Sequence, residues 1–370
     1  MTLTRRDFLK LIGGAAGALA LSPFSRVMPL PEFPQGQRLG RLTASVDLYS
    51  VPRFDYPLTG KKIYEDAVVP IIREVAGGTY GPESGPWSRS RTWIETPDGY
   101  IHTSVVQPVK YFLNEPLREL PPGKMGFWAE VTVPYVDFVL ENQIPISPWI
   151  IDSINIGRPI RLYYSQIMWV DQIKISDVTG NIIYRINERY GSYGDIFWAE
   201  GAAFRPITDE EVAPISPEVD PAEKKVVANL TYQTISCHEG SREVFFCRMS
   251  SGTLYDAYGN FVDVWSTPLG THWTWRKSIS IHMAGGTVGG GYDTPGVSWT
   301  TLFSGTGVAI HSTFWHNDYG TERSRGCLNV TPEDAKWIFR WTTPIVSLEP
   351  GDLTIQGSGG THVVVEERTY

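Results

Sequence analysis

Cysteine is scarce: three in 370 residues, at positions 237, 247 and 327. Three thiols are too few for a disulfide framework. Cys237 and Cys247 flank an expected hairpin over Tyr232 to Met249, turning at His238 to Ser241. That turn puts Cys237 opposite position 242, out of register for a bridge to Cys247, so both read as small buried hydrophobes. Cys327 is left as the thiol in a polar, Gly-flanked setting suited to reactivity. Charge is also sparse, at 19% of residues, and the formal net charge is −8. An acidic chain does not bind nucleic acid or anionic membrane by charge. After the first 21 residues no apolar run approaches the roughly 20 residues that span a bilayer as a helix.

What is plentiful is glycine (36), proline (27), tyrosine (18) and tryptophan (13). That mix favours short strands and ordered turns, hence a mainly β fold, and the length calls for two or three domains. At the start, Thr4-Arg5-Arg6-Asp7-Phe8-Leu9-Lys10 precedes an apolar, small-residue run from Leu11 to Leu21, with Ala18-Leu19-Ala20 as an A-x-A cleavage site. Paired arginines before so short a run form a twin-arginine export signal over residues 1–20. The expected destination is the periplasm or cell wall. Residues 21–38, rich in proline and small residues, read as a tether.

Two β modules are expected next. From Gly40, alternating runs separated by turn clusters lead to Gly99-Tyr100-Ile101-His102-Thr103-Ser104-Val105-Val106-Gln107-Pro108-Val109. Residues 39–110 therefore read as a small β-barrel, and the Gly-aromatic-Ile closing strand resembles bacterial SH3-like domains. The run Phe197 to Ile207 parallels Tyr100 to Val109 with one extra residue, so 111–207 reads as a second β-rich, SH3-like module. Residues 208–224, acidic and punctuated by Pro214, Pro217 and Pro221, are expected to form a semi-rigid linker. A domain over 225–357 and a C-terminal tail or strand over 358–370 complete the chain.

The chemistry concentrates in residues 308–330. Val308 to Ile310 delivers His311 and Ser312 at a strand end. A polar loop follows, then Ser324-Arg325-Gly326-Cys327-Leu328-Asn329. A nucleophilic cysteine needs a base near it in space, and a return over this loop brings His311 to Cys327. Thr331-Pro332-Glu333-Asp334 then starts a helix: threonine as N-cap, proline at the first position, acids in the first turn. The glycines in Ala284 to Tyr292 suit a mobile lid.

His311-Ser312 followed by Ser324-Arg325-Gly326-Cys327-Leu328-Asn329 resembles the signature of the L,D-transpeptidase catalytic domain family, also called YkuD. Arg325 departs from the histidine that many members carry there. Thr267-Pro268-Leu269-Gly270 matches the family's Thr-Pro-x-Gly element. The resemblance implies a β-sandwich with the site in a cleft under a mobile loop. It implies that Cys327 attacks a peptidoglycan stem tetrapeptide with His311 as base and the Ser312 carbonyl orienting the imidazole. D-Ala leaves, and an amine of a neighbouring stem takes the acyl group in a 3–3 cross-link. Backbone N–H groups at Gly326 and Cys327 are expected at the oxyanion, with Ser324, Arg325, Asn329 and His316 as further substrate-binding candidates. No cofactor is implied, and carbapenem acylation of Cys327 is expected of the family.

Four alternatives use the same sequence. Water in place of the amine makes an L,D-carboxypeptidase, and a protein amine makes a wall-anchoring enzyme. A non-catalytic wall-binding protein would use the aromatic β modules alone. A metal site joining Cys327 to His311, His316 or His282 lacks a close ligand pair of usual zinc spacing, apart from His311 and His316 in one loop.

Overall fold

Alternation of apolar and polar residues over runs of three to eleven residues produces strands throughout. The computed structural model describes residues 27, 29–79, 88–255, 260–285 and 292–367. The expected export signal at 1–20 and most of the Gly-rich lid candidate, 286–291, lie outside the described residues. Among the described residues no helix is long and apolar enough to cross a membrane.

In the first module, Leu39–Leu42 pairs with Val68–Pro70 and Val106–Val109. A five-stranded sheet covers it, in the order Leu58–Ile63, Val46–Tyr49, Gly99–His102, Thr92–Thr96, Arg73–Ala76. Leu42, Leu48, Ile94, Ile101 and Val106 fill the space between them. The middle module is a seven-stranded antiparallel sheet drawn from residues 127–206, with one helix, Pro148–Asn155, beside it. The repeat seen in the sequence has a structural counterpart. Gly99–His102, a 3-10 turn and Val106–Val109 match Ile196–Glu200, a 3-10 turn and Phe204–Pro206.

The segments expected to be loose are packed. Of the tether, Val27 is buried with Ile183 and Trp198, and the Phe33 ring meets Tyr111 and Tyr135 at 5.4 and 5.8 Å. The linker forms a short capped helix, Asp209–Val212, and Val212 and Ile215 enter the core of the C-terminal domain. Lys224, 3% exposed, donates to the carbonyls of Ile215 and Trp341, both at 3.0 Å. Apolar residues within the linker explain the docking, because burying them outweighs the freedom of a spacer.

The C-terminal domain is a sandwich of two five-stranded sheets with the helix Pro332–Trp341 between them. One sheet runs Arg242–Arg248, Thr234–Glu239, Lys224–Asn229, His362–Glu366, Gly270–Trp273. The other runs Leu328–Val330, Ala309–Ser312, Tyr292–Leu302, Arg276–Gly285, Asp352–Thr354. The domain therefore does not end at 357: His362–Glu366 lies between two strands, parallel to Lys224–Asn229. Cys237 and Cys247 are free, buried thiols in this core, with Cys237 opposite Phe245.

Two of the contacts that hold the modules to the domain are built on buried charge. Arg41, 3% exposed, bonds Asp66 at 2.8 Å and Gln107 at 3.0 Å, and reaches the Phe314 carbonyl at 2.7 Å. Phe314 in turn stacks on Tyr163 of the middle module. On the other side, His282 is wholly buried between Glu188 of the middle module, at 2.9 Å, and Asp293. Tyr193 packs edge-on against its ring. Burial disfavours the imidazolium, but the hydrogen bonds and charges of Glu188 and Asp293 outweigh it and raise the His282 pKa. A raised folded-state pKa stabilises fully below the unfolded value near 6.5, and the benefit fades as pH rises through the folded pKa. His282→Gln should therefore cost roughly 1–3 kcal/mol at pH 5.5, the range for hydrogen bonds to charged groups. The cost should shrink by pH 9. Thermal melts of both proteins across that range check it, and a pH-independent gap would refute the ionic bridge.

Candidate active site

Two short strands place the reactive pair. Ala309–Ser312 and Leu328–Val330 run parallel, with Ile310 opposite Leu328 and His311 opposite Asn329. Side chains alternate faces along a strand, so His311 and Asn329 share one face. Cys327, two residues before Asn329, shares it as well. All three line one cavity of about 260 Å³, together with Ser324, Arg325 and Trp315. The strand residues that alternate with them, Ile310 and Leu328, are buried in the core beneath.

The imidazole is held through one of its two nitrogens. Nδ1 of His311 lies 2.8 Å from the Ser312 carbonyl. A carbonyl only accepts, so Nδ1 carries the proton and Nε2 holds the lone pair. Ser312 is itself fixed by a hydroxyl contact to Ser298 at 2.6 Å. Burial lowers the His311 pKa to about 4, the Ser312 carbonyl opposing only in part. Burial pushes the Cys327 thiol up to about 11, although the Ala309 backbone N–H favours its thiolate. At neutral pH the pair is therefore thiol and neutral imidazole. Proton transfer belongs to the moment of attack, with no ion pair standing ready beforehand.

The nucleophile loop is braced from behind. Gly326 has φ +117°, the left-handed side that glycine alone adopts freely. Its N–H donates to Ser324 Oγ at 3.1 Å, and that hydroxyl donates to the Cys327 carbonyl at 2.5 Å. The expected oxyanion donor at Gly326 is thus already engaged by Ser324, whose role is to shape the turn. Ser250 to Thr253, legible in the sequence only as a turn, forms the brace. Ser250 exchanges both backbone hydrogen bonds with Asn329, and Thr253 donates to the Ser324 carbonyl at 2.9 Å. Thr267 of the Thr-Pro-x-Gly element accepts from Gly252 N–H at 2.9 Å and donates to the Gly326 carbonyl at 2.8 Å. The helix after the cysteine is capped by Thr331, which accepts from Asp334 N–H at 3.1 Å.

Other candidates separate. Arg325 lines the cavity and lies over the rings of Trp265 and Tyr292, 4.9 and 5.9 Å from their centroids. Among the described lining residues two are arginines, 323 and 325, and none is a carboxylate. His316 does not line this cavity; it faces a second one, of about 380 Å³, between the domain and the first module. Its Nδ1 accepts from Asp318 N–H at 3.2 Å, so Nε2 carries the proton. Nε2 lies 2.9 Å from the side-chain nitrogen of Asn329, whose oxygen is buried without a partner. Exchanging the amide's two ends gives a donor–acceptor match and turns the NH₂ to the unpartnered position. Trp315, which sequence reasoning passes over, has its ring centroid 5.8 Å from that of His311. Its place directly after the histidine strand is the available signal. Among the described residues no group of three His, Cys, Asp or Glu side chains is arranged to hold a metal.

Residues 223–365 match the family model for the L,D-transpeptidase catalytic domain, YkuD. The C-terminal part of the chain is a YkuD domain. No curated protein matches the chain. Among solved structures, the chain is similar to the L,D-transpeptidase from Mycobacterium smegmatis at 17% identity, covering 53% of this chain and 98% of that one, with a TM-score of 0.30. The catalytic domain of the Enterococcus faecium L,D-transpeptidase aligns at 23% identity over 39% of this chain and 96% of that one, TM-score 0.29. A mutant of the longer Enterococcus faecium protein aligns at 21% identity and TM-score 0.30 over 39% of this chain; the match spans half the length of that structure. The YkuD assignment rests on the family model, and the mainly β sandwich carries it.

Proposed function

We propose that this chain is an exported peptidoglycan L,D-transpeptidase. The reading is carried by the convergence of His311 and Cys327 on one cavity, with the tautomer of His311 set by the Ser312 carbonyl. Cys327 attacks the carbonyl joining the third stem residue to the terminal D-Ala as its proton passes to Nε2 of His311. The tetrahedral oxyanion is met by the Cys327 backbone N–H and the Asn329 amide. The C–N bond breaks, His311 protonates the departing D-Ala amine, and an acyl-thioester remains. An incoming amine then loses a proton to His311, forms the new amide and releases the thiol. Arg325, on a cavity wall without carboxylates, holds a carboxylate of the donor stem. The paired Arg5 and Arg6 support delivery by the twin-arginine route to the periplasm or wall.

The test incubates wild type and Cys327→Ala with a disaccharide-tetrapeptide and analyses the products. Free D-Ala and a cross-linked dimer from wild type alone support the reading. D-Ala without dimer points to an L,D-carboxypeptidase. No change of substrate by either protein, with equal binding of both to sacculi, points to a non-catalytic wall-binding role.

A further inference from the structure

A second cavity, walled in part by the middle module, adjoins the catalytic cavity at Trp315. Thr294 and Trp315 line the cavity of Cys327 and also a neighbouring one of about 300 Å³. The far wall of that neighbour is foreign to the YkuD domain: Trp149 and Asp152 of the helix Pro148–Asn155, Arg158 just after it, and Tyr163 of an edge strand. A transfer between two peptides must bring two chains to one sulfur.

We propose that this second cavity is the acceptor subsite, taking a peptide that carries both a free amine and a carboxylate. The proposal rests on the transpeptidase reading above. Asp152 is exposed, and among the described residues its carboxylate has no hydrogen bond or ion pair. Arg158 is exposed and makes an ion pair with Glu65 at 2.9 Å, of the kind that contributes little and exchanges readily. The other charged groups on these walls are committed: Asp293 to His282 and the Trp149 N–H, Arg161 to Asp66 and Asp137. Trp149 also lines this cavity and carries an indole N–H without a partner among the described residues. The rings of Trp149, Tyr163 and Trp315 give an aliphatic amine side chain an apolar path. That path ends beside His311. There the amine passes its proton to Nε2, its nitrogen bonds to the thioester carbonyl, the C–S bond breaks, and the proton returns to the sulfur.

The experiment separates the half-reactions. Wild type, Asp152→Ala, Arg158→Ala and Trp149→Phe are acylated with a donor tetrapeptide, and transfer is followed against rising concentrations of a second tetrapeptide bearing a free side-chain amine. D-Ala release should stay within about twofold of wild type. The acceptor concentration for half-maximal transfer should rise about tenfold, the scale of one lost polar contact. Transfer to glycinamide, too small to need the subsite, should be unchanged. Unaltered acceptor dependence in all three variants overturns the proposal, as does an equal fall in D-Ala release. If wild type releases no D-Ala, the transpeptidase reading itself fails, a separate outcome.

Discussion

His311→Gln will be acylated by the tetrapeptide about 10²–10⁴ times more slowly than wild type, the usual contribution of a positioned base. The loss follows from the resting protonation state. With the imidazole near 4 and the thiol near 11, wild type holds a neutral base beside a protonated nucleophile over most of the accessible pH range. Its acylation rate should therefore be nearly flat between pH 5 and 9, on the order of those two limits. Without the base, attack must wait for thiolate formed by solvent. A thiol with a pKa near 11 is only about one part in 10⁴ thiolate at pH 7. The variant's residual rate should consequently climb about tenfold per pH unit. Single-turnover D-Ala release against pH checks both profiles. A wild-type rate rising through a neutral pKa would instead mean a preformed thiolate–imidazolium pair and would overturn this account of the pair.

Gly252→Ala should disable the site from behind. A Cβ at Gly252 would lie 2.0 Å from the Trp265 carbonyl oxygen, 2.8 Å from Thr267 N and 2.9 Å from Gly326 Cα. All three are backbone atoms, so no side chain can swing aside. Relief requires the brace and the nucleophile loop to move apart, which strains the bond from Thr267 to the Gly326 carbonyl. The expected cost is about 1–3 kcal/mol, as for overpacking elsewhere in protein cores. Acylation should fall more than stability does, because a shift on the order of 1 Å at a nucleophile can cost about a hundredfold. Melting temperature, and the acylation rate read well below the melt, test this together. A variant that melts lower yet acylates normally would remove Gly252 from the positioning of Cys327.

The reactive pair is readable in the sequence because the chemistry confines it to one loop between two strands: His311 and Ser312 on one side, Gly326 and Cys327 on the other. The capped helix after it is equally local, Thr331 and Pro332 being enough to start it. What escapes the sequence depends on distant partners. Residues 362–366 read only as a tail or strand outside the domain, because the parallel pairing with Lys224–Asn229 spans the whole domain. The linker looks free because the core that Val212 and Ile215 enter is assembled from residues far away in the sequence. Arg41 carries no sign that its guanidinium will meet the Phe314 carbonyl, 273 residues away. His316 has the composition of a site residue, but the bend of the loop turns it to the cavity behind. Gly326 N–H, a natural oxyanion donor from its position, is engaged by the Ser324 hydroxyl within the same turn.

The central claim is that Cys327 forms the acyl-enzyme with His311 as its base. The measurement that reaches it most directly is the intact mass of the protein, quenched in acid during turnover of the tetrapeptide, followed by peptide mapping. The account predicts a mass gain equal to the donor less D-Ala, located at Cys327, weak in His311→Gln and missing from Cys327→Ala. An adduct on another residue, or an unchanged adduct in His311→Gln, would contradict it.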